Sequence, residues 1–191
     1  LEAVPPRERG QSLLDLAAAA EEPAVAEEIL RRAAAVDDLP DAQQAEVFER
    51  LAALFRQQGR HDDLEHHLAR GMDQLGLPPA GQARLGAELA ALIGARGEPD
   101  RAIEVMRRAL HETPDNESLW SDLVALARQA RDRHTEVEAL GQWAESAGDE
   151  KQRLVVLRDL ALLLEEQGDE EGALERWATV LALDPDDAQA I

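Results

Sequence analysis

Glycine and proline fall at regular distances along the 191 residues, and the runs between them carry apolar side chains at i, i+3, i+4 and i+7. That spacing gathers the apolar residues on one stripe of an α-helix, and the punctuation keeps each helix short. One run, Leu85, Leu89, Leu92 and Ile93, closes at Arg96-Gly97-Glu98-Pro99-Asp100. Gly97 suits the left-handed backbone that ends a helix. Pro99 and Asp100 suit the first turn of the next one. That second helix carries Ala102, Ile103, Met106, Ala109 and Leu110, and Pro114 stops it. The pair is a helical hairpin. Gln58-Gly59-Arg60 and Gln167-Gly168-Asp169 mark the turns of two more, the latter closed by Asp184-Pro185. A single hairpin cannot bury its own apolar stripe, so such units stack on one another.

Composition points the same way. Apolar residues make up 45% of the chain, but aromatics only 3%, with no Tyr. The core must therefore come from Ala and Leu, which suits helices packed closely on helices. It suits a β-sandwich poorly, because strands favour β-branched and aromatic side chains.

The repeated units resemble tetratricopeptide repeats, whose pattern runs W-x2-L-G-x2-Y, then A-x3-F, then P. The last unit reads Leu157-x2-Leu160-Ala161-x2-Leu164, Ala173-x3-Trp177, Pro185. The third reads Gly86-x2-Leu89-Ala90-x2-Ile93, Ala102-x3-Met106, Pro114. The second gives Phe48-x2-Leu51-Ala52-x2-Phe55 and Leu64-x3-Leu68, and the first gives Leu13-Leu14-x2-Ala17 and Ala26-x3-Leu30. The fourth opens with Trp120-x2-Leu123-Val124-x2-Ala127, but its second helix departs from the pattern, with Glu136 where a small Ala belongs. The units span 7–44, 45–82, 83–116, 117–153 and 154–191, one array over 1–191. The resemblance implies an all-α, right-handed solenoid of antiparallel helix pairs, about ten helices in all. The chain opens on Leu1 rather than Met, and no polar capping helix follows the last repeat before Ile191. Terminal repeats normally need such a cap, so the chain reads as a piece of a longer array. Nineteen arginines against one lysine read as the coding bias of a GC-rich bacterial genome.

The resemblance also implies that the first helix of each pair lines a concave face able to hold an extended or helical peptide. Carried over by repeat position, that face presents Gln11, Asp15, Glu49, Arg56, Glu88, Ser121, Asp122, Arg128, Arg158 and Asp159, with Ala53, Ala87, Ala91, Ala125 and Leu162 between them. One subset of the family grips a partner's C-terminal carboxylate with paired Lys and Asn side chains. Here the one Lys, Lys151, and the one Asn, Asn116, both lie off that face, which disfavours such a clamp. Trp143, in the irregular fourth unit, is the remaining candidate contact; Trp120 and Trp177 fall at bulky positions of the pattern and read as core.

Charge narrows the partner. A net charge of −20 is repelled by phosphate backbones and by anionic membranes, so nucleic acid and membrane surfaces are disfavoured and a basic protein or peptide is compatible. No apolar run approaches the length needed to cross a bilayer, and the chain reads as cytoplasmic. Catalytic patterns are missing. Ser12, Ser118, Ser121 and Ser146 lie in no G-x-S-x-G, and there is no phosphate-binding Gly-rich loop and no H-E-x-x-H. The pairs Glu27-Glu28, Glu165-Glu166 and Glu170-Glu171 read as solvated surface, not as an acid/base pair. His61, Asp62, Asp63, His66 and His67 place two Asp/His pairs four residues apart, a spacing that a metal could use. The plainer reading is that both aspartates complement a helix N-terminus and the histidines are solvated. No cofactor or metal is expected. The function that follows is a non-catalytic scaffold for a protein or peptide; the alternatives are self-association through the array end, or a regulatory region of a larger enzyme.

Overall fold

In a computed structural model, which describes residues 5–190, the chain is ten α-helices joined by short turns, with no strand among the described residues. They are α1 (Pro6–Ala19), α2 (Pro23–Ala34), α3 (Asp41–Gln57), α4 (His61–Gln74), α5 (Pro79–Ala95), α6 (Pro99–Glu112), α7 (Glu117–Ala130), α8 (Arg133–Ser146), α9 (Glu150–Gln167) and α10 (Glu170–Leu183). Each odd-numbered helix pairs with the even-numbered one after it, giving five hairpins. They form two compact units that divide between Leu77 and Pro78.

The local rules are visible at the helix ends. Proline occupies the first turn of α1, α2, α5 and α6, where a missing N–H costs nothing. In α7 to α10 side chains do the capping. Asn116, Asp132, Asp149 and Asp169 accept the backbone N–H of Leu119, Thr135, Gln152 and Gly172. Four of the five hairpin turns hold a left-handed residue, at Gly59, Gly97, Arg131 and Gly168. Gly97 was expected to play that part, and its φ is 81°.

In the first unit α1 crosses α3 at Gly10, where a Cβ would collide with Leu39 and Gln43. Leu14, Leu30, Ala33, Ala52 and Leu68 are sealed there. In the second unit Ala90, Ala102, Ala109, Ala127 and Ala161 are wholly buried. Alanine at these places lets the helix axes approach, and the larger Met106 and Trp177 fill the space one turn on, both buried. The few aromatic rings are divided: both phenylalanines, Phe48 and Phe55, belong to the first unit, and all three tryptophans to the second.

The second helix of the fourth pair keeps the repeat register. Ala139, Leu140 and Ala144 are buried on α8, and so is Glu136, at 2% exposure. The glutamate is accommodated at an alanine position because two guanidinium groups reach it. Its carboxylate accepts from Arg128 Nε at 2.6 Å and from Arg133 at 3.1 Å.

Candidate functional site

The first helices carry the residues singled out by repeat position, and each unit arranges its own set. In the first unit Gln11 and Asp15 are exposed on α1 and bonded to each other at 2.9 Å. Gln43, buried on α3, donates to the Arg7 carbonyl at 3.1 Å and lies 3.4 Å from Gln11 Oε1. Arg50 donates from α3 to the Leu14 carbonyl at 2.8 Å. These links hold α1 and α3 side by side. Further along α3, Glu49 is half-buried and Arg56 exposed, and both are engaged in interactions of their own.

In the second unit Glu88 is half-buried on α5, and Ser121, Asp122 and Arg128 are exposed on α7. Partial burial pushes the Asp122 carboxyl above its ordinary range. Arg128 lies 3.6 Å from Asp159 on α9, so these two predicted residues come together. Arg158 does not face outward freely. It pairs with Asp187 and lies 3.5 Å from Asp184. Asp187 is itself buried and accepts the N–H groups of Gln189 and Ala190 at 2.9 and 3.1 Å. Burial works against its charge, but those N–H groups and Arg158 together hold its carboxyl below the usual range. Arg158 therefore anchors the segment after α10.

Two exposed apolar side chains flank this pair on α9. Val155 is 49% and Leu162 42% exposed, one at each end of a stripe that includes Arg158 and Asp159. Leu162 was expected on that face and Val155 was not, although its place one heptad before Leu162 was a signal in the sequence. Trp143 falls elsewhere. It lies on α8, a second helix, half-buried, with its indole N–H enclosed and unbonded. Trp120 and Trp177 donate to the Pro114 carbonyl and to Glu165 at 2.7 and 2.8 Å.

The histidine cluster differs from its sequence reading. Asp62 and Asp63 do open α4. His61 and His66 are exposed, but His67 is not solvated as expected. Its ring stacks on Phe48 at 4.2 Å and 17°, meets Phe55 edge-on at 5.6 Å, and bonds the Phe48 carbonyl at 2.9 Å. Burial therefore holds its pKa below the ordinary 6.5. An imidazole can take a phenylalanine's place between two rings, which alternation of charge in the sequence concealed. Among the described residues no group of three or more ligating side chains is placed to hold a metal. Nor is any described helix long and apolar enough to cross a membrane. Glu165 and Glu166, expected to be solvated only, bind Trp177 and, at 3.2 Å, Arg133.

No family model matches the chain, and no curated protein does. Solved structures match in fold. A tetratricopeptide repeat protein from Parabacteroides merdae is 14% identical with a TM-score of 0.57, over 96% of this chain and 70% of that one. MamA from Desulfovibrio magneticus, from its residue 41 to the end, is 11% identical with a TM-score of 0.53, over 95% and 98%. YrrB, described as a TPR protein with an unusual peptide-binding site, is 12% identical with a TM-score of 0.51, over 92% and 85%. The fold is thus that of a divergent tetratricopeptide-like helical repeat.

Proposed function

We propose that this chain is a non-catalytic scaffold whose first-helix faces hold a segment of another protein. The observation that carries the reading is the α9 stripe, where Val155 and Leu162 stay exposed around a charged centre. Large apolar side chains left exposed beside charged groups give a partner apolar area to bury and polar groups to pair with. Asp159 lies within it, and Asp122 is exposed on α7, the first helix of the preceding pair; the chain's net charge of −20 would speed the approach of a basic partner. A basic segment with one or two large apolar residues is the occupant we expect.

The test is affinity capture with the whole chain, followed by titration of the captured partner. Leu162→Glu and Asp122→Lys should each weaken binding by about tenfold or more while leaving the helical circular dichroism unchanged. Equal binding by both variants would remove this surface from the proposal. A second reading rests on Leu174, 68% exposed on α10. Self-association through that helix would appear in light scattering as a mass that rises with concentration, and Leu174→Glu would abolish the rise.

A further inference from the structure

The first unit also holds a groove of about 770 Å³ on its other side, between the second helices α2 and α4, with α3 as its floor. Phe48, Leu51 and the stacked ring of His67 form the bottom, and Arg31, His66 and Arg70 stand along the walls. The second unit has a smaller counterpart of about 330 Å³, between α6 and α8 over α7. The repeat register makes the two cavities equivalent. Phe48 corresponds to Trp120, Arg31 to Arg107, His66 to Glu138 and Arg70 to Gln142.

The two differ in how their walls are joined. In the smaller cavity Arg107 reaches from α6 to α8, donating to Thr135 at 3.0 Å and to Glu138 at 2.9 Å. The arginine thus spans the gap and meets its counter-charge. In the larger groove the position of Glu138 holds His66, which supplies no negative charge. Arg31 instead turns back along its own helix to Glu27 at 2.8 Å. Arg70 bonds the neutral amide of Gln74 at 3.0 Å. Of the two carboxylates in the walls, Asp63 is taken by Arg60 at 2.7 Å, and Asp38 stands in the loop between α2 and α3. The groove is left open, apolar at the bottom, with donors on α4 where its counterpart has acceptors.

We propose that this groove is a second protein-binding site, and that it takes a partner segment presenting a bulky apolar side chain beside a carboxylate. The apolar side chain fills the space over Phe48 and Leu51. The carboxylate accepts from Arg70 and His66, replacing the charge that Glu138 provides in the other unit. The site prefers the charge sign opposite to that expected on the first-helix face, so success or failure at one says nothing of the other.

The probes are short, labelled, helix-favouring peptides that share one Leu/Phe face and differ only in flanking Glu, Gln or Lys. With the whole chain, the Glu peptide should bind at least about tenfold more tightly than the Lys peptide, the size of one hydrogen bond to a charged group. It should also shift the ring-proton resonances of His66 and His67. His66→Glu combined with Arg70→Gln places the second unit's pair in the first and should abolish both the preference and the shift. These are exposed positions, so circular dichroism should be unchanged. Equal or stronger binding by the Lys peptide, no binding by any of the three, or a preference that survives the double substitution would each overturn the proposal.

Discussion

The buried carboxylate of Glu136 sits 2.6 Å from Nε of Arg128, one hairpin turn away, while the rest of that guanidinium is half in solvent and reaches Asp159. The relationship is unequal. Glu136 is enclosed, so it needs its partners, whereas Arg128 and Arg133 are more than half exposed and can be hydrated without it. Removing both arginines should therefore cost about 3 kcal/mol, because a buried charge is stranded. Adding Glu136→Ala to that double variant should recover most of the loss, since alanine is the residue the repeat pattern places there. Urea melts of the double variant, the triple variant and Glu136→Ala alone read this directly, and an additive result would refute it.

Ala102 has no exposed surface and sits near Gly94 in the crossing of α5 and α6. Ala102→Leu should destabilise the second unit by about 1–3 kcal/mol through overpacking. Ala125→Leu, on the exposed face of α7, is the control and should leave the melt unchanged.

Arg131 holds a φ of 57° at the turn position that Gly59, Gly97 and Gly168 fill elsewhere. A side chain in that conformation costs about 1–2 kcal/mol. Part of the relief is offset by the greater freedom of an unfolded glycine. Arg131→Gly should therefore stabilise the protein, by about 0.5–1 kcal/mol. A lower melting temperature in the variant would contradict this.

Burial lowers the pKa of His67 below the ordinary 6.5. Its stabilising contribution is complete above the unfolded value and is lost as pH falls from there through the lower folded value, because the unfolded chain takes up the proton first. The first unit should lose stability below about pH 6.5. His67→Phe, which retains a ring between Phe48 and Phe55, should remove the part of that loss due to this side chain. Chemical melts across pH, with the His67 ring resonance followed by NMR, check both statements.

Much of the fold was legible because each hairpin obeys local rules. Gly97, Pro99 and Pro114 set turns and stops by backbone chemistry alone, and Ala102 and Met106 mark a crossing by size alone. What escaped depends on partners distant in sequence. Arg158 looked like an outward contact until Asp187 claimed it, and His67 looked polar until two phenylalanines enclosed it. Glu136 looked like a break in register, yet it is a charged substitute in an unbroken one. The unequal wall chemistry of the two grooves was present in His66 and Glu138, but nothing in the sequence alone shows that a cavity lies between those helices.

The division of the rings gives the molecule two separate optical channels. With no tyrosine, indole emission comes wholly from the second unit, while phenylalanine and the His67 stack belong to the first. Tryptophan fluorescence will follow unfolding of residues beyond Pro78 and remain blind to those before it, and far-ultraviolet dichroism will see both. A melt in which the two signals separate would resolve the units without any label, and one in which they coincide would show that they unfold as a single cooperative body.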